Sequence, residues 1–191
     1  LGEETLASGY GAIAMGSDTN ASGRASIALG RSTTASGRYS TAMGFVTKAS
    51  GAQSTSIGFT TTASGDHSTA MGWVTTASGS ASTAMGSQTT ASGNNAVAMG
   101  TQTTASGAQS TSMGRDTTAS GDYSLATGEE IEAEGKNTVA IALSDQDGLN
   151  ISQSNLLAIM GGKVAIDTNS TGHLLSINKT VNISASGDIN F

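Results

Sequence analysis

Thr89-Thr90-Ala91-Ser92-Gly93-Asn94-Asn95-Ala96-Val97-Ala98-Met99-Gly100 is one copy of a unit that recurs every fourteen residues. Successive copies place the same alanine at Ala7, Ala21, Ala35, Ala49, Ala63, Ala77, Ala91, Ala105, Ala119 and Ala133, ten in all, with no insertion or deletion between them. A period this strict fixes the architecture before any other feature is read. With that alanine as position 1, position 3 is Gly in every copy, and position 10 is Gly in nine copies and Ala142 in the last. Two glycines half a period apart suggest two tight bends per unit.

Between the glycines lie two short runs rich in Thr and small side chains, one over positions 6–10 and one from positions 13 and 14 into 1–3. Both fit short strands. A helix with a Gly about every seven residues and this much Ser and Thr would be costly. Strand alternation then sorts the side chains. Positions 6, 8 and 10 are almost wholly Ser, Ala and Gly, and positions 13, 1 and 3 are Thr, Ala and Gly. Two such faces can pack on each other in a thin two-sheet coil.

Positions 7 and 9 form a larger, mostly apolar face. Met15, Leu29, Met43, Ile57, Met71, Met85, Met99, Met113 and Ile141 occupy position 9, with Val97 and Val139 among those at position 7. At roughly 4.8 Å per coil, ten coils would carry an apolar stripe roughly 45–50 Å long. Exposed apolar surface on that scale marks an interaction face. The stripe is therefore expected to meet copies of itself around a shared axis, with folding and assembly inseparable.

The bends vary freely. Phe45, Phe59 and Trp73 stand at position 11 of three consecutive copies and are expected to stack as an aromatic ladder, with Val46 and Val74 beside them. Arg24, Arg31, Arg38 and Lys48 gather near the start, and Glu129, Glu130, Glu132 and Glu134 near the end of the repeats. The aromatic ladder and Arg24, Arg31 and Arg38 are the candidate partner-binding residues. The ladder is a plausible hot spot, and the cluster is suited to acidic glycans or matrix.

Composition sets further bounds. The chain has 191 residues, 26 of them Gly, no Pro and no Cys, and a formal net charge of −6. That charge speaks against nucleic acid as the main partner. No apolar run reaches the roughly 18–20 residues that span a bilayer. Leu1 to Leu6 reads as the tail of a preceding repeat, so the chain is expected to be part of something longer.

The period is lost after the tenth unit. Asp145-Gln146-Asp147-Gly148 reads as a turn, and only distantly as the start of a calcium loop, because the downstream Glu is missing. Gly161-Gly162, flanked by apolar runs, is a hairpin signal. The expected division is therefore a roll over residues 1–146 and a smaller β subdomain over 147–191.

The unit Ala-Ser-Gly-x-x-Ser-x-Ala-x-Gly resembles the head repeat of trimeric autotransporter adhesins, the YadA-like family of Gram-negative bacteria. The resemblance covers about residues 1–146. It implies an all-β, left-handed parallel β-roll of fourteen-residue repeats, homotrimeric, with its apolar strand positions toward the trimer axis. It also implies exposure on the bacterial cell surface as a passenger, anchored to the outer membrane through segments absent from this chain. In some members the motif Asn-Ser-Val-Ala-Ile-Gly is implicated in collagen binding. The nearest matches here are Asn95 to Gly100 and Asn137 to Ala142, and most other copies have Thr in place of Val.

No nucleophile–base pairing, metal-ligand spacing or phosphate-binding glycine loop is present. The expectation is therefore a non-enzymatic chain with no cofactor and no metal. Its partners would be copies of itself and a host matrix or cell-surface receptor. The alternative is a structural spacer that projects a distal binding tip. An ice-binding face would need paired threonines on one flat side, and the adjacent threonines at positions 13 and 14 point to opposite sides.

Overall fold

The computed structural model describes residues 2–145 and 148–161. Among these there is no helix, and the strands form two parallel eleven-stranded sheets. Every turn of the chain adds one strand to each sheet, and up to Ala142 each strand pairs with its equivalent fourteen residues away. Thr83 to Ser87, for example, lie beside Val97 to Thr101 in register. The longer strands hold positions 7–11, as in Thr83–Ser87. The second run is shorter than its sequence suggests. It contributes two residues per coil in most copies, as in Thr90–Ala91.

The core between the sheets is built from the smallest side chains. Ala at positions 1 and 8 is fully buried from Ala21 to Ala140, forming stacked clusters along the roll. Thr at position 13 and Ser at position 6 are buried with it, and among the described residues Ile131 is the largest fully buried side chain. With so little apolar volume per coil, the backbone ladder and the close approach of the sheets hold the roll together.

The glycines have a role different from the bends expected of them. Position 10 lies inside the longer strand, with φ between +123° and +130° from Gly16 to Gly128. A Cβ on any of these would overlap the carbonyl oxygen of the equivalent residue one coil on. The position 3 glycines meet their neighbours the same way, so both columns are set by coil-to-coil contact. The bends are turned by non-glycine residues in the left-handed region, at position 5 (Tyr39, His67, Asn95) and position 12 (Ser32, Val46, Val74). This geometry lets their amides reach the preceding coil. Tyr39 N donates to the Arg24 carbonyl at 2.8 Å, and Val74 N to the Phe59 carbonyl at 2.9 Å.

The buried threonines divide by the residue across the core. Thr61 and Thr117 bond through Oγ1 to Ser56 and Ser112, each at 2.7 Å. Where position 8 is Ala, the Oγ1 atoms of Thr19, Thr33, Thr47, Thr75, Thr89 and Thr103 find no protein partner.

The roll continues beyond residue 146. Leu149–Ile151 pairs with Ile131 to Ala133, and Leu157–Met160 with Val139 to Ala142. The step to this last coil is eighteen residues, and the four extra ones enter at the bend between Ala142 and Leu149. Ile151 and Met160 pack against the terminal core cluster. The first strands assigned by sequence to a separate subdomain thus belong to the solenoid. The hairpin expected around Gly161-Gly162 has its first arm in a parallel strand instead. Its second arm, and the rest of 162–191, lie outside the described residues.

Two stability changes follow. Gly100→Ala should cost on the order of 4 kcal/mol, because the methyl group meets backbone at a positive φ. A loss below about 1 kcal/mol in chemical unfolding would refute the close-approach account. Ala84→Ser should stabilise by about 1 kcal/mol by giving Thr89 the partner that Thr117 already has. Combining it with Thr89→Val should abolish the gain, and an undiminished gain would place its origin elsewhere.

Candidate interaction surfaces

The outer face of the longer-stranded sheet carries positions 7 and 9, as the alternation requires. Met15 is 53% exposed and Met113 is 40% exposed in the single chain, and the remaining position 9 residues are half-buried or exposed. Their stacking is regular. Met71 pairs in register with Met85, Met85 with Met99 and Met99 with Met113. Leu157 and Ile159 extend the column onto the last coil, paired with Val139 and Ile141. Thr127 is the one polar residue in the position 9 column from Met15 to Ile159.

The candidate partner-binding residues lie on two different edges of the roll. Positions 11 and 12 turn one edge and carry Arg31, Phe45, Phe59 and Trp73. Positions 4 and 5 turn the other and carry Arg24 and Arg38. The fold does not bring the six together within one chain. On the first edge Phe45 and Phe59 stack with centroids 5.1 Å apart and planes inclined by 17°. The Arg31 guanidinium lies over the Phe45 ring at 5.5 Å. Trp73 follows one rung on, paired in register with Phe59. The stacked part of the ladder is therefore Arg31–Phe45–Phe59.

Phe59 and Trp73 are 45% and 48% exposed, and Val46 and Val74 are exposed beside them. Val46, Thr60 and Val74 hold φ of 53–54°. Left-handed backbone is disfavoured by roughly 1–2 kcal/mol for ordinary residues, and a β-branched side chain there is a true outlier. Elsewhere the same bend uses Asp18, Ser32, Gln88, Gln102, Asp116 and Glu130. The three β-branched residues at this bend are the three next to the aromatics. Sequence periodicity could not reveal that strain, because it gives no backbone sign for position 12.

On the second edge Arg24 lies over Tyr10 at 5.9 Å and Arg38 over Tyr39 at 5.3 Å. Higher on the roll the same column serves the backbone. Asp66 accepts from Ala52 N, Asn94 from Ser80 N and Asp122 from Ala108 N.

The acidic end is organised around Arg115. Its guanidinium forms an ion pair with Glu129, and also approaches Asp116 at 3.4 Å and Glu130 at 3.6 Å. Glu129, Glu130 and Asp145 bring carboxylate oxygens within 4.8 Å of one another. A hydrogen bond with Asp145, and then the charge of that group, hold the Glu130 carboxyl above its ordinary value. Arg115 supplies the positive charge these acids need, which makes the group a surface ion-pair network.

None of these surfaces has the concave, convergent form of a small-molecule site. They are flat faces and rod edges, suited to contact with other macromolecules. No curated protein matches the sequence. The family profile described as "YadA head domain repeat (2 copies)" matches residues 7–33, 21–47, 49–74, 77–103 and 105–128, which together take in more than half of the chain. With its parallel solenoid and fourteen-residue register, the chain belongs to the YadA head family, and so to an adhesin-type kind of bacterial surface protein, structural in character and exposed as an autotransporter passenger.

Proposed function

We propose that this chain is the adhesive head of a homotrimer on the bacterial surface, attaching to host extracellular matrix or to a host cell-surface receptor. The column from Met15 to Ile159 supports the trimer. Each Met, Leu or Ile removed from water contributes about 1.5–3 kcal/mol when fully buried. A stripe running the length of the roll is best covered by equivalent stripes around a three-fold axis.

The aromatic edge carries the adhesive reading. Phe45, Phe59 and Trp73 stand with strained Val46, Thr60 and Val74 on a bend that other coils build with polar residues. Strain and exposed apolar surface kept together are costs with no structural return in a lone roll, and they fit a contact surface. Three copies per fibre and many fibres per cell would add avidity to weak contacts. The outer-membrane anchor would lie in segments outside this sequence.

The mass of the 191-residue chain in solution tests the assembly, and a monomer by light scattering would overturn it. Met85→Asp should block assembly, because three carboxylates would meet near a dry axis; a well-folded trimer carrying it would refute the axis assignment.

Attachment is tested on immobilised collagens, fibronectin, laminin and host cells. Phe45→Ser, Phe59→Ser and Trp73→Ser together should abolish it and leave the trimer intact. A trimer that binds nothing would instead mark the roll as a spacer for a distal tip. Val46→Asn with Val74→Asn should raise stability by about 1 kcal/mol per site and weaken attachment. A gain in stability with attachment unchanged would remove these residues from the contact.

A further inference from the structure

We propose that the first coils carry a second attachment site, for a sulfated polysaccharide, formed by Arg24, Arg38 and Lys48. It goes beyond the receptor contact above and does not depend on the aromatic edge. The first observation is charge. Between Asp18 and Asp66 the sequence holds four cations, these three and Arg31 on the opposite edge, and no Asp or Glu, in a chain whose net charge is −6. All four side chains belong to exposed residues. Among the described residues the ion pairs are those of Arg115. The nearest acids along the chain are already engaged. Asp18 accepts a hydrogen bond from Ser32 Oγ at 3.0 Å, and Asp66 one from Ala52 N at 2.8 Å.

The second observation is geometry. Both guanidiniums of the site rest on a tyrosine ring, Arg24 on Tyr10 and Arg38 on Tyr39. A ring holds the guanidinium by its face and leaves the N–H donors in the plane free to grip an oxyanion in a forked pair. Arg24 and Arg38 occupy the same position in adjacent coils, so their backbones stand about one rung, roughly 4.8 Å, apart. Two cations on neighbouring rungs, with no acid of opposite sign between them in sequence, raise the local positive potential and favour an anion there. Asp66, Asn94 and Asp122 at this position hydrogen-bond to the neighbouring coil. Arginine, with donors only, cannot accept those amide hydrogen bonds.

The chemistry of the surroundings selects the partner. Lys48 stands on the outer face of the shorter-stranded sheet among Ser22, Ser36, Ser50 and Thr34, whose hydroxyls can pair with sugar hydroxyls. A duplex laid along the roll would run into Asp66, Asp116, Asp122 and the acidic end. A thin, flexible chain bearing sulfates can cross the basic band, only about three coils or 15 Å deep, without meeting those acids.

The test measures binding of a heparin octasaccharide to the 191-residue chain at 50 and 200 mM salt, values chosen to expose counter-ion release. Binding should be present and should weaken as salt rises. Arg24→Gln with Arg38→Gln should lower affinity about tenfold or more and flatten the salt slope by about one for each contacting charge removed. Lys136→Gln is the matched control: Lys136 lies over Tyr123 at 5.7 Å, outside the band, and should bind as the parent does. Circular dichroism and solution mass verify that each variant keeps the fold. Absence of heparin binding at 50 mM salt, an unaffected double variant, or an equal loss in Lys136→Gln would each overturn the proposal. Equally tight binding of duplex DNA would overturn the assignment to polysaccharide. Matrix attachment lost in the aromatic variants while heparin binding persists would support two separate sites. Failure of heparin binding with matrix attachment intact would sink this site and leave the adhesive reading standing.

Discussion

The roll depends on how closely one coil can sit on the next. In two columns, at positions 3 and 10, the backbone of each coil approaches the carbonyl group of the following one so nearly that even a methyl group would overlap it. That approach keeps the inter-coil hydrogen bonds short at the bends as well as in the sheets. It also limits the space between the sheets. Ala, Ser and Thr fill that space, and larger side chains are confined to the outside of the roll or to its last coils, where Ile131, Ile151 and Met160 pack together. The apolar column on the outer face follows from the same limit. A chain that cannot place Met and Ile inside its own coil must place them on its surface.

Most of this was legible in the sequence because the period is so regular. Alternation alone assigned Ala28 and Ala84 inward and Met43 and Met99 outward, and the structure places them there. Two features escaped. Glycine can signal a bend or a close approach, and composition does not distinguish the two. Gly100 was read as a bend, whereas it lies inside a strand. The last coil was also hidden, because a four-residue insertion shifts Leu157 out of the fourteen-residue count while leaving its strand paired to Val139. Register is a matter of hydrogen bonding, and a loop can absorb residues without disturbing it.

The interaction surfaces were legible as residues and not as places. Arg24, Arg31 and Arg38 lie close in sequence, yet a seven-residue offset is half a coil and puts Arg31 on the opposite edge. The same geometry places Arg31, Phe45 and Phe59 on successive rungs although fourteen residues separate each from the next. Strain at Val46 and Val74 required coordinates, since φ is not written in any spacing.

The eighteen-residue step to the last coil has a consequence for how such a rod can change over generations. Its bend accepted four extra residues, and both strands re-entered the ladder beyond it. Bends of this kind can be lengthened, and whole coils copied or deleted by slippage between near-identical repeats, with the glycine columns left continuous. Each copied coil would move the basic band and the acidic end apart by about 4.8 Å and leave the contacts within each unchanged. The spacing between surface features is then a heritable length, adjustable in fixed increments without redesigning a core.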